Sequence, residues 1–193
     1  MPERQPYHHG NLRATLLTAA ERTLREHGIE QVTLRDLARQ AGVSHAAPSR
    51  HFRDRQALFD ALAAEGYVRL GDEIATAIEN AGDGFEARLR AVGATYVRFA
   101  VDNAALLELM FANRKAGGPD AAPRAPERPY AILKELIQHG HKTGELHAGD
   151  PERLQLIILA TFQGIAALVS SRSVPIGQTD ALVADATALF TRG

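Results

Sequence analysis

The sequence predicts an all-α protein: a small three-helix head at the N-terminus, then a larger helical bundle, about nine helices in all. Three observations carry this. Apolar residues recur at three- and four-residue steps along the whole chain, and no β-branched alternation survives beyond a few positions. The periodic stretches begin at capping residues and stop at glycines. Finally, 193 residues with 45% hydrophobic and 23% charged content are ordinary for a globular chain that buries about 70% of its unfolded surface.

The elements follow in order. Asn11 precedes Leu12, Leu16, Leu17, Ala20 and Leu24, one apolar stripe stopped by Gly28. Thr33-Leu34-Arg35-Asp36 opens a short second helix, with Thr33 facing the open N–H groups and Asp36 reaching back in a capping box. Leu34, Leu37, Ala38 and Ala41 form its buried side, and Gly42 supplies the left-handed residue that ends it. Ser44 caps a third helix running to about His51, with Pro48 at a tolerable early position. Phe52 is a core anchor, and Asp54 caps a long fourth helix whose inner face carries Leu58, Leu62, Leu70, Ile74 and Ile78. Helices from Phe85 to Asp102 and from Asn103 to Ala112 follow. A proline- and glycine-rich loop then spans Arg114 to Pro129. The last three helices cover Tyr130 to about Thr143, Asp150-Pro151 to about Ser171, and Asp180 to Arg192. Three short helices with a glycine at the turn make a helix-turn-helix, whose motif spans 33–52. We expect a head at 1–55 and a regulatory and dimerisation region at 56–193.

Charge and composition narrow the function classes. The chain has no cysteine, which excludes thiolate metal sites, disulfides and cysteine nucleophiles. The opening residues lack a secretory apolar stretch. The greasiest run, Leu154 to Val169, is broken by Gln155, Thr161 and Gln163 and falls short of a membrane span. A cytoplasmic protein is expected. The net charge is −1, yet residues 1–55 hold nine Arg against six acidic residues, and five of the eight histidines. A basic head on a mildly acidic body suggests an anionic partner for the head alone.

Specific residues carry a resemblance. Tyr7-His8-His9-Gly10-Asn11-Leu12-Arg13, the run Val32 to Pro48, and His51-Phe52-Arg53-Asp54-Arg55-Gln56-Ala57-Leu58 are similar to the TetR/AcrR family of bacterial transcriptional regulators. The match extends over roughly the first 70 residues. The Tyr-His-His-Gly lead and the Ser-His-Ala-Ala-Pro turn resemble one branch whose C-terminal domain carries a Trp-x-x-x-His-Gly signature. In this chain that signature falls on Leu159, Gln163 and Gly164, so only the glycine remains. Ser49 stands where the branch has a tyrosine that reaches a phosphate, and Arg55 where relatives have a lysine.

A helix-turn-helix delivers its second helix into the major groove of double-stranded DNA. Ser44, His45, Ala46, Ser49 and Arg50 are the candidates there, with Arg50 suited to guanine O6/N7. Thr33, His51 and Arg55 form a candidate phosphate set near helix N-termini. Arg13 and the His8-His9 arm are further backbone or minor-groove candidates. Thr33 is equally explained as a cap, and Ala46 and Ala47 as helix-forming filler.

One head makes few contacts, so a homodimer on a palindromic site is the natural solution. Leu154, Ile158, Ile165 and Val169, on a helix apolar nearly all round, and Leu182, Leu189 and Phe190 on the last helix are the expected interface. Tyr96, Phe99, Met110, Phe111, Phe162 and Gln163 are candidates to line a cavity for a small apolar or aromatic effector. The same set also fits a filled core. The expected function is therefore a dimeric repressor released by a small molecule. A regulator without a ligand, controlled by a protein partner, is the alternative. A metal enzyme is the third reading, but His139, His141, His147 and Glu145 offer no His-x-x-x-His pair on one face. Neither cofactor nor metal is expected.

Overall fold

A computed structural model describes residues 12–116, 128–146 and 149–191, and among them the chain forms eight α-helices and no strand. These are α1 (Leu12–His27), α2 (Leu34–Gln40), α3 (Arg55–Asn80), α4 (Phe85–Asp102), α5 (Ala104–Ala116), α6 (Arg128–Thr143), α7 (Pro151–Ser170) and α8 (Thr179–Thr191). The His8-His9 arm and His147 lie outside the described residues, as does the expected loop between 117 and 127. That loop is narrower than its sequence suggests, because α5 continues to Ala116 and α6 already starts at Arg128.

The predicted third helix is corrected. Residues 44–51 form two successive tight turns, of which Pro48–Arg50 is a single 3-10 turn. The Ala47 N–H donates to Ser44 O at 3.0 Å, and the Arg50 N–H donates to Ala47 O at 3.2 Å. Pro48 has no N–H to return to Ser44, so the α-helical ladder cannot run through it. Only the Phe52 N–H, donating to Pro48 O at 2.9 Å, makes a four-residue step.

The flanking caps form as their residues dictate. The Asp36 N–H donates to Thr33 Oγ1 at 3.1 Å, and that hydroxyl donates to Asp36 Oδ2 at 2.7 Å. Asp36 thus closes on the hydroxyl rather than on the Thr33 backbone N–H. Gly42, at φ 66°, ends α2. The Val43 N–H reaches Ala38 O at 3.0 Å and the Gly42 N–H reaches Arg39 O at 3.2 Å, a paired closure that needs a left-handed residue. Asp54 and Asp150 cap α3 and α7, accepting from Ala57 N at 2.7 Å and Glu152 N at 2.9 Å.

The long α3 is the spine. Leu58, Phe59 and Leu62 pack with Leu16, Leu17, Leu37 and Phe52 of the head, while Tyr67, Leu70 and Ile74 pack into the body, all in one continuous apolar cluster. A polar knot ties the two halves beside it. Arg69 Nη2 on α3 donates to Glu21 Oε1 of α1 at 2.9 Å and to Asn103 Oδ1 at the start of α5 at 3.1 Å. Its guanidinium also lies 5.3 Å from the centroid of the Phe99 ring. In the body, α4 lies centrally against α3, α7 and α8. The approach to α7 is close because residue 93 is glycine: a Cβ there would sit 2.5 Å from the Phe162 ring.

Candidate nucleic-acid interface

The turn that replaces the third helix projects from the head. Ser44, His45, Ala46, Ser49, Arg50 and His51 are all exposed, and Pro48 and Phe52 beneath them are buried. The turn is therefore an anchored loop with its polar residues outward. Thr33 is half-buried at the start of α2, where its hydroxyl already serves Asp36. That bond, followed by Arg39, holds the Asp36 carboxyl below the usual carboxylate range. Arg39 Nη2 donates to Asp36 Oδ1 at 3.0 Å.

Two arginines make contacts within the protein. Arg55 Nε donates to Val32 O at 2.8 Å, its Nη2 donates to Ile29 O, and its guanidinium lies 4.9 Å from the Phe59 ring centroid. This geometry makes Arg55 a clamp on the α1–α2 connection. Arg13 lies 5.5 Å from the Phe52 ring centroid and pairs with Glu65 at 3.5 Å. Arg35 at the first turn of α2 and Arg53 beside the projecting turn are exposed as well. Both belong to the arginine excess of the head.

Most of the residues expected at an interface pack within the protomer. Ile158 is fully buried, Ile165 and Val169 are buried, and Leu154, Leu182 and Phe190 are half-buried within the protomer. The outward face of α7 carries Leu156, Ile157, Ala160, Gln163, Gly164, Ala167 and Leu168, joined by Leu189 of α8. Leu189 is the one expected residue that stays exposed, at 77%. Periodicity could not fix the phase because both sides of α7 are apolar. For the same reason α7 is, contrary to the sequence expectation, the one helix among the described residues long and apolar enough to cross a membrane. Its inward side packs against α4, α6 and α8.

A cavity of about 30 Å³ lies between α3, α4, α5, α6 and α7. Tyr96, Met110, Phe111 and Phe162 line it, along with Leu159. Gln163 faces outward, and Phe99 is turned to the head under Arg69, so neither belongs to it. The Tyr96 hydroxyl is buried with no hydrogen-bond partner among the described residues. Burial, with Tyr130 second, pushes this phenol well above its usual range. His139 and His141 are exposed on α6.

An all-helical chain with an N-terminal helix-turn-helix joined by a long helix to a bundle defines a class: the two-part regulators of transcription. The description "Bacterial regulatory proteins, tetR family" matches residues 16–62, and "Tetracyclin repressor-like, C-terminal domain" matches residues 89–192. The chain belongs to the TetR family. It is similar to the HTH-type transcriptional repressor Rv1474c of Mycobacterium tuberculosis, 39% identical over 70 residues, which are 36% of this chain and 37% of that protein. It is likewise similar to the HTH-type transcriptional repressor AcnR of Corynebacterium efficiens, 39% identical over 64 residues, 33% of this chain and 34% of the other. The match thus spans about a third of the length of these curated relatives. Among solved structures, a protein of unknown function from Rhodococcus sp. RHA1 is 42% identical with a TM-score of 0.86, covering 97% of each chain. FadR of Bacillus subtilis, solved with stearoyl-CoA, has a TM-score of 0.74 at 17% identity over 94% of this chain and 98% of that one, a likeness of fold alone.

Proposed function

We propose that the protein is a homodimeric, sequence-specific DNA-binding repressor that reads a palindromic operator and is released by a small apolar or aromatic effector. The single observation that carries the DNA-binding part is the projecting turn Ser44–His51, exposed along its polar side and anchored by buried Pro48 and Phe52. Arg50 reads a base, and Ser44, His45, Ala46, Ser49 and His51 make the surrounding contacts, with the start of α2 at Thr33 on the backbone. The names of the relatives that match over the head support this. Exposed Leu156, Ile157, Leu168 and Leu189 support self-association, since a two-fold axis lets α7 and α8 of each copy cover the other.

Release follows from the connection between cavity and head. Met110 of α5 lines the cavity, and Asn103, immediately before that helix, holds Arg69 and through it Glu21 of α1. A ligand that enlarges the cavity displaces α5 and shifts the heads, which lowers operator affinity. The small size of the cavity favours a second reading, in which a protein partner does the displacing.

Selection from a random duplex library tests the DNA-binding part. We expect an enriched palindrome with two half-sites, and Arg50→Ala to relax discrimination at one base pair per half-site, worth about 1–3 kcal/mol. Absence of any enriched sequence overturns the reading. Uniform weakening across all sequences removes Arg50 from base readout.

A further inference from the structure

We propose that the effector is a neutral, mostly apolar molecule with one hydrogen-bonding oxygen, such as a phenol, ketone or ester, and that Tyr96 is its polar anchor. This rests on the reading of the body as an effector domain and names the chemistry the site takes.

The cavity walls carry no charged side chain: Tyr67, Met110, Phe111, Tyr130 and Phe162 stand around Tyr96 with aliphatic residues between. A carboxylate or a phosphate would lose its hydration here and find no cation, a penalty far above what apolar contact returns. Tyr67 is already committed, its hydroxyl donating to Met110 O at 3.1 Å. Tyr96 is not. It is 6% exposed, and its hydroxyl has no partner among the described residues.

An unpaired buried hydroxyl costs stability, and water is a poor remedy at this site. A stable buried water needs two to four polar partners, and beside Tyr96 the lining offers only the phenols of Tyr130 and of Tyr67, the latter already donating to Met110 O. A ligand with an apolar body and one oxygen answers both halves of the problem. It covers the walls and completes the hydroxyl. The space of about 30 Å³ holds roughly one or two waters, so such a ligand needs the wall to yield. Met110 is the flexible element, with three rotatable bonds, and Leu107, Phe111 and Leu159 at the rim are only half-buried.

The test uses the full chain and Tyr96→Phe, titrated with 4-methylphenol, p-xylene and 4-methylbenzoate by calorimetry. We expect 4-methylphenol to bind the wild type roughly tenfold more tightly than the variant, the net worth of one hydrogen bond. We expect p-xylene to bind both proteins within twofold, and 4-methylbenzoate to bind neither. The unliganded variant melts at or above the wild-type temperature, because it loses an unpaired hydroxyl and no contact. Equal 4-methylphenol affinity for both proteins overturns the anchor. Carboxylate binding as tight as that of the phenol overturns the neutral class. Failure of both neutral probes to bind overturns the site. A lower melting temperature for the variant overturns the unpaired hydroxyl. DNA selection without any probe reports separately on the regulator reading, so the two can fail independently.

Discussion

Ile157→Glu tests the outward face of α7 most directly. Ile157 is 53% exposed and its sequence neighbour Ile158 is 0% exposed, so one residue step separates solvent from core. Fully burying an isoleucine is worth about 1.5–3 kcal/mol, so covering the exposed half contributes about 1 kcal/mol per copy. A two-fold interface counts each residue twice. Replacing Ile157 therefore removes about 2 kcal/mol per dimer, a factor of about 30 in the dissociation constant. The two carboxylates placed in an apolar seam add to that loss. Leu168, 47% exposed on the same side three turns later, behaves alike. Sedimentation equilibrium measures the association, and far-ultraviolet circular dichroism checks that the protomer keeps its helices. Ile158→Ala is the counterpart: it loses about 2–5 kcal/mol of folding stability through a cavity, with the face itself intact. The reasoning is refuted if Ile157→Glu remains as dimeric as the wild type at micromolar concentration, or if it unfolds the protomer.

Three further outcomes are expected. Arg55→Ala lowers stability by about 1–2 kcal/mol in urea unfolding, as two carbonyls lose a charged donor; the salt dependence of DNA binding stays as it was, and a slope reduced by about one unit would return Arg55 to the phosphate set. Asp36 titrates below its ordinary 3.8 in the folded state, so its contribution is present above that pH and drains as pH falls through the lowered value; the stability gap between wild type and Asp36→Asn, read by thermal melts, narrows below about pH 4. Gly93→Ala drives a methyl against the Phe162 ring, where the Cβ would stand 2.5 Å away, and costs about 1–3 kcal/mol in denaturant unfolding.

Much of the fold was legible because its signals are local. Thr33, Gly42, Asp54 and Asp150 each mark a boundary through a hydrogen bond or a backbone angle that the residue itself imposes. Leu16, Ala20 and Leu24 on α1, and Leu58 and Leu62 on α3, repeat at helical spacing and are buried. What failed depended on competition or on phase. Pro48 competes with the ladder of a helix only eight residues long, and in so short a segment the loss is decisive. On α7 two apolar faces send the same signal, so the sequence could not say which one the protomer keeps. The exposed head residues Ser44 to Arg50 were readable as a group from the motif, whereas the inward turn of Arg55 depends on Ile29 and Val32, more than twenty positions away. Gln163 and Phe99 were misplaced for the same reason: a helix face is set by neighbours distant in sequence.

The shared spine α3 has a consequence for building hybrid regulators. One uninterrupted rod closes both cores, with Leu58 and Leu62 at one end and Leu70 and Ile74 at the other, so no natural seam exists at residue 55. A graft cut there would strip Leu16, Leu37 and Phe52 of their cover. Crossovers that transplant this head onto another body belong beyond the rod, in the exposed Gly82–Gly84 link, and must bring a compatible mate for Arg69.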